Sequence, residues 1–150
     1  MTTRILIMGL PGAGKTYLAQ YVLERLQNAG KSVQWLNADD VRQRFNDWDF
    51  SIEGRIRQSK RMREMADEFT SDYVICDFIC PIPEMRKNFD ADWTVWVDTI
   101  SEGRFGDTNK LFVPPDYYDF RITTQDALYW SELIAVTIMS KDNDSPTRIA

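Results

Sequence analysis

The sequence predicts an α/β domain: about five parallel strands with helices on both faces, a three-layer α/β/α sandwich. Three observations predict it. Short β-prone runs alternate with helix-period segments along the whole chain. No repeat and no Pro/Gly/Ser-rich linker breaks that alternation. A length of 150 residues suits one domain with a buried core. Strands separated by helices need crossover connections, and these lay the helices on the sheet faces.

Residues 4–8 (RILIM) form the first β-prone run, ending at Gly9. From Lys15 the period becomes helical. Leu18, Ala19, Val22, Leu23 and Leu26 fall on one stripe, and Gly30 suits a C-cap. Residues 32–36 (SVQWL) read as a second strand, with a short helix over 39–45. Ser51 is an N-cap type and opens a longer helix to about residue 70. Its expected inward face is Ile52, Ile56, Ser59, Met62, Ala66 and Phe69. Residues 73–79 (YVICDFI) read as a buried strand closed by Pro81 and Pro83. A short helix over 84–89 and a fourth strand over 93–97 (WTVWV) follow. Residues 101–115 are polar, contain glycines and end in prolines, so a loop or lid is expected. A short strand over 119–122 and an amphipathic helix over 127–139 complete one domain over 1–140. Residues 141–150 are expected to be a loose tail.

Composition removes several chemistries. With no histidine, imidazole general bases, Ser-His and Cys-His nucleophile systems and imidazole-bound metals are excluded. Carboxylates, Lys, Arg, hydroxyls and backbone amides remain. Cys76 and Cys80 are too few for a disulfide scaffold. On one extended segment their Cα atoms would lie about 13 Å apart, beyond bridging range. A reducing cytosol is the expected compartment. No apolar run approaches the ~20 residues of a membrane span, and the N-terminal residues carry no signal-peptide pattern. The net charge is −5, but residues 42–63 hold seven basic and three acidic side chains. A basic segment in an acidic chain favours a small polyanionic partner over a long nucleic acid. The sequence leaves homodimerisation open.

Gly9-Leu10-Pro11-Gly12-Ala13-Gly14-Lys15-Thr16 fits the G-x-x-x-x-G-K-[ST] phosphate loop, with a strand before it and a helix after. Its glycines let backbone N–H groups turn inward around a phosphate, and the helix N-terminus adds positive dipole. Lys15 would reach the β/γ oxygens of a nucleoside triphosphate, and Thr16 would place its hydroxyl on Mg²⁺. A chance glycine turn is the alternative.

Asn37-Ala38-Asp39-Asp40-Val41-Arg42 follows the second strand, whose carboxyl end faces the same crevice as the phosphate loop. Asp39 can take or orient the proton of an acceptor hydroxyl, and Arg42 can hold an anionic acceptor. The alternatives are an N-cap for Asp39 and a solvated charge for Arg42. Asp77 lies inside an apolar strand, where a carboxylate needs a partner. It is read as a Mg²⁺-water ligand beside Thr16, an acceptor-hydroxyl contact, or a structural hydrogen bond. Arg55 and Gln58 can face inward at the edge of their helix, with Arg57, Lys60, Arg61 and Arg63 as a solvated face. Phe50 can stack on a flat substrate or pack in the core. Residues 123–126 are a candidate rim for the ATP base, with a helix cap as the alternative.

These residues together resemble the adenylyl-sulfate kinase (APS kinase) family, a P-loop kinase fold. That family uses MgATP to phosphorylate the 3′-hydroxyl of adenylyl sulfate, giving PAPS. Gly9–Thr16 resembles its G-L-S-G-A-G-K-S loop, and 36–42 (LNADDVR) resembles its L-D-G-D-N-x-R segment. The resemblance implies Asp39 as base, with Lys15 and Arg42 beside it. It implies ATP contacts at Gly9, Pro11, Gly12, Ala13, Gly14, Lys15 and Thr16, with Arg104 from the lid. Residues 50–55 resemble F-S-x-x-D-R, implying that Phe50 stacks on the substrate adenine and Arg55 binds the phosphosulfate. Gln58 stands at a substrate-binding Asn. Residues 78–86 resemble F-I-S-P-x-x-x-x-R, implying backbone contacts at Ile79 and Cys80. Phe112 resembles the second face of an adenine sandwich, and Lys110 a lid cation. Cys80 replaces a Ser, Asp77 stands where a small or neutral residue is expected, and the lid is shorter. That shorter lid keeps two other expectations open: a related kinase acting on another nucleoside, nucleotide or 5′-hydroxyl polynucleotide, and a non-catalytic ATP-binding module.

Overall fold

A computed structural model describes residues 1–143. The elements in order are β1 (Thr3–Met8), α1 (Lys15–Asn28), β2 (Val33–Asn37), α2 (Ala38–Phe45), α3 (Ile52–Asp67) and β3 (Tyr73–Asp77). Then follow α4 (Pro83–Phe89), β4 (Trp93–Val97), α5 (Gly106–Leu111), β5 (Phe120–Ile122) and α6 (Ala127–Asn143). The strands form one five-stranded sheet in the order β2-β3-β1-β4-β5, every pair parallel.

Alternation along the strands divides the core in two. Ile5 and Ile7 of β1, with Tyr73 and Ile75 of β3, meet α1 and α6 through Leu18, Val22, Leu26, Ile134 and Ile138. Leu6, Met8, Val74 and Cys76 point the other way, against Val41, Met62, Ala66, Met85 and Phe89. Each fully buried Leu, Ile or Phe contributes about 1.5–3 kcal/mol, so both helix layers are held mainly by these residues. The middle strand β1 has β3 on one side and β4 on the other. The chain therefore changes direction of growth at its carboxyl end, the crevice where open α/β sheets bind ligands. Register pairs Ile7 with Asp77 and Asp77 with Asn37, so three strand ends reach that crevice at one level.

Several elements differ from the sequence expectation. The third strand stops at Asp77, not residue 79. Phe78 N still donates to Ile7 O at 3.1 Å, but the chain then turns, with Cys80 at φ +48°. Cys76 and Cys80 thus do not share one extended segment; both are buried free thiols, and burial pushes the Cys80 thiol up to about 12. Ile52, expected on the inward face of α3, is 52% exposed, whereas Arg55, Gln58, Ser59, Met62 and Ala66 are buried as expected, joined by Gly54. The reason is position: the first half of α3 borders the crevice, and only its second half covers the sheet. The expected solvated basic face is partly tied down. Arg57 pairs with Asp47 at 2.8 Å and Asp49 at 3.1 Å, and Arg61 with Asp47 at 3.0 Å. These partners hold the Asp47 carboxyl well below the usual carboxylate range.

The expected lid loop contains the helix α5. Helix α6 runs past residues 139 and 141 to Asn143, and the remaining tail residues, 144–150, lie outside the described residues. Helix α6 is not cleanly amphipathic, because Leu128, Tyr129 and Val136 are exposed while Ser131, Ile134 and Ile138 are buried. Among the described residues, no helix is long and apolar enough to cross a membrane.

Candidate active site

The loop between β1 and α1 is wound by Gly9, Gly12 and Gly14 at φ +150°, +87° and +102°. Gly9 is required by contact as well: a Cβ there would sit 2.4 Å from Val97 O of β4. No side chain caps α1, so its first N–H groups face the loop. Thr99 Oγ1, just after β4, donates to Ala13 O at 2.7 Å and braces the loop. Lys15 Nζ donates to Leu10 O at 2.9 Å, across the loop it belongs to. Burial pushes the Lys15 ammonium down to about 8, against the pull of Asp77 and Asp39.

Beside Lys15 lies the buried Asp77, only 2% exposed. Its carboxylate accepts from Thr16 Oγ1 at 2.9 Å, Trp35 Nε1 at 2.7 Å and Asn37 Nδ2 at 3.1 and 3.3 Å. Burial pushes its carboxyl up, and these donors and Lys15 pull it back. The structural hydrogen bonds and the position beside Thr16 therefore coexist. Trp35 and Asn37 were not singled out in the sequence; only the register of β2 against β3 reveals them.

Asn37 has a second task. Its Oδ1 accepts from Asp39 N at 3.1 Å and Asp40 N at 3.2 Å, capping α2. The cap is therefore Asn37, and the alternative that made Asp39 the cap is corrected. Asp39 lines the crevice. Arg42 is no solvated charge: at 5% exposure, its Nη1 donates to Asp47 O at 3.0 Å and Asp49 O at 3.3 Å. Its guanidinium also sits 4.3 Å from the Phe50 ring centroid. Phe50 itself is 45% exposed on the wall, not packed in the core. Arg55 donates through Nε to Phe50 O at 2.8 Å and through Nη2 to Thr108 Oγ1 at 3.1 Å. Gln58 is buried and ties α3 to α2, Nε2 donating to Ala38 O at 3.1 Å.

One continuous cleft of about 540 Å³ runs from Gly12, Lys15 and Thr16 past Asp39 to Phe50 and Arg55. Ile79, Cys80 and Arg104 also line it, as do Trp48, Phe105 and Thr108, which sequence reasoning missed. The latter are ordinary loop and lid residues in sequence, without a motif to mark them. Phe112 and Lys110 are not on the wall. Val113 N donates to Pro81 O at 2.8 Å, and Arg86 donates to Cys80 O and Val113 O. These bonds turn Phe112 down against the core beneath Arg86, so no sandwich with Phe50 forms here. Lys110 is exposed on α5. Residues 123–126 bond to α6: Asp126 Oδ1 accepts from Tyr129 N at 3.2 Å and Thr124 Oγ1 from Trp130 Nε1 at 2.8 Å, so the helix-cap role is present.

Residues 1–99 match the family described as Adenylylsulphate kinase. Adenylyl-sulfate kinase 3 of Arabidopsis thaliana is 36% identical over 86 residues, covering 57% of this chain and 41% of that protein. The adenylyl-sulfate kinase of Halothermothrix orenii is 38% identical over 82 residues, covering 53% and 44%. The match thus spans under half the length of these curated relatives. Among solved structures, the APS kinase of Mycobacterium tuberculosis in complex with AMPPNP and APS superposes with a TM-score of 0.76. It has 18% identity and covers 92% of this chain and 98% of that one. Shikimate kinase of Aquifex aeolicus gives 0.65 at 13% identity, covering 95% and 100%. At those identities the likeness speaks for the fold.

Proposed function

The chain belongs to the adenylylsulphate kinase family, and from that premise we propose that it transfers the γ-phosphoryl group of ATP to the 3′-hydroxyl of adenylyl sulfate, giving PAPS. The observation that carries this reading is the single cleft that joins a phosphate loop at one end to Phe50 and two buried arginines at the other, with Asp39 between.

The loop amides and Lys15 hold the ATP phosphates, and bound phosphate keeps Lys15 charged despite its burial. Thr16 and Asp77 offer hard oxygen donors, the type Mg²⁺ takes. Among the described residues no cluster of three acidic, His or Cys side chains could hold a metal, so nucleotide phosphates and water would complete the shell. The ion, when bound, supplies charge neutralisation at the β and γ oxygens. Phe50 offers a flat face for the acceptor base, and Arg42 and Arg55 supply positive charge for its anionic group. Asp39, at the start of α2, orients the acceptor hydroxyl for in-line attack and takes its proton. Arg104, which lines the cleft from the lid, adds positive charge near Lys15, and the lid serves to exclude water. A cytoplasmic location is part of the proposal, because two free thiols suit a reducing compartment.

The test is PAPS formation from labelled ATP and adenylyl sulfate, with Asp39→Ala alongside. Normal turnover in Asp39→Ala would remove the role of Asp39. Labelling of a nucleoside or a 5′-hydroxyl oligonucleotide, and not of adenylyl sulfate, would move the chain to the related kinase reading. The short lid favours that second reading.

A further inference from the structure

The acceptor end of the cleft already contains an anion. Asp107, the second residue of α5, places Oδ2 3.6 Å from Arg55 Nη2. The next residue, the buried Thr108, accepts from the same nitrogen at 3.1 Å. Arg55 is 5% exposed and Asp107 73% exposed, so an almost buried cation meets a solvent-facing carboxylate across the cleft. The other acceptor of Arg55 is a backbone carbonyl, Phe50 O. Arg42, its cationic neighbour, spends its own bonds on Asp47 O and Asp49 O. Burial works against the Arg55 charge, and Asp107 is the acidic group that works for it. The lid helix thus reaches the acceptor subsite through one charge and one hydroxyl.

We infer that Asp107 is an internal competitor for the acceptor's anionic group, a specificity residue whose role rests on the acceptor proposed above. In the empty cleft it neutralises Arg55 and holds α5 down. An acceptor carrying a phosphosulfate or similar anion displaces it, while the neutral Thr108 contact remains available to keep the lid near. An acceptor without that anion gains nothing from Arg55, because Asp107 is already there. The exposed partner makes the pair easy to open: ion pairs of this kind hold weakly, and their loss corresponds to about two- to fivefold in an equilibrium.

Two measurements on Asp107→Asn test this, with Asp107→Glu as the charge-keeping control. Calorimetric binding of adenylyl sulfate should tighten about two- to fivefold in Asp107→Asn, with adenosine binding unchanged and Asp107→Glu close to wild type. Hydrogen exchange at the amides of residues 109–112 should quicken in the acceptor-free Asp107→Asn protein. Unchanged or weaker adenylyl sulfate binding, an equal gain for adenosine, or unchanged exchange overturns the role. If wild-type protein does not bind adenylyl sulfate, the acceptor reading fails and this role with it. If wild type binds and Asp107→Asn shows no gain, this role alone fails.

Discussion

Gly54→Ala should destabilise the protein, against the usual rule for a helix. In an exposed helix interior, replacing Gly by Ala gains about 1 kcal/mol. Here the new Cβ would lie 2.2 Å from Asp49 O and 2.5 Å from Asp49 Cγ. The first of these is backbone, so the segment before α3 must move. Overpacking of this kind costs about 1–3 kcal/mol, which leaves a net loss of about 1 kcal/mol at the middle of both ranges. For a domain of this size that is a fall in Tm of about 2–4 °C. The functional effect should be one-sided. Asp49 O accepts from Arg42, and Asp49 precedes Phe50, so displacement loosens the acceptor end of the cleft. The atoms nearest that Cβ all belong to Asp49, at the acceptor end and not in the phosphate loop. Thermal unfolding and separate titrations of ATP and acceptor provide the assay, with Gly106→Ala, in open space, as a control. A Gly54→Ala protein with raised Tm and unchanged acceptor affinity would refute the reasoning.

Other perturbations separate the remaining parts of the site. The Lys15 pKa, lowered from 10.5 to about 8, means that the unfolded chain binds more protons between those values. This group's contribution to stability therefore rises with pH from about 8 to 10.5. ATP binding at pH above 8 should draw a proton onto Lys15, read by calorimetry in buffers of different ionisation heat and lost in Lys15→Met. Trp35→Phe removes one donor from the buried Asp77 carboxylate and should cost about 1–3 kcal/mol in urea unfolding. Asp39→Asn should lower kcat by about 10²–10⁴-fold and leave Tm unchanged, because Asn37 makes the cap. Asn37→Ala should instead cost about 1 kcal/mol or more of stability, through the lost cap and the lost bonds to Asp77.

Much of the framework is legible from the chain because hydrophobic period and turn residues agree there. Strand β4 coincides with the WTVWV run, and α1 begins at the Lys of the phosphate loop. On α3 the inward placement of Arg55, Gln58, Ser59, Met62 and Ala66 is legible, but the exposure of Ile52 is not, because the first turn borders the crevice and not the sheet. Helix α5 also escapes notice. It is six residues long, opens with a glycine, and gains its order from the buried Thr108 on Arg55. The network around Asp77 depends on which residue of β2 lies opposite it, and no local pattern carries that register. Phe112 follows a motif, but Arg86 and the chain beside Pro81 set its direction.

The bracing of the phosphate loop by β4 bears on the thermodynamics of nucleotide capture. Gly9 lies against Val97 O, Thr99 holds Ala13 O, and Ala13 N donates to Leu10 O at 3.1 Å. The loop's backbone is therefore ordered by folding, and little conformational entropy remains to be lost when a phosphate arrives. The two ends of the cleft then differ in kind. At the loop end a ligand meets a backbone already in place and has only to draw Lys15 Nζ away from Leu10 O, whereas at the lid end it must break an ion pair. On the proposed function, preorganisation at one end and exchange of partners at the other would favour binding of ATP ahead of the acceptor.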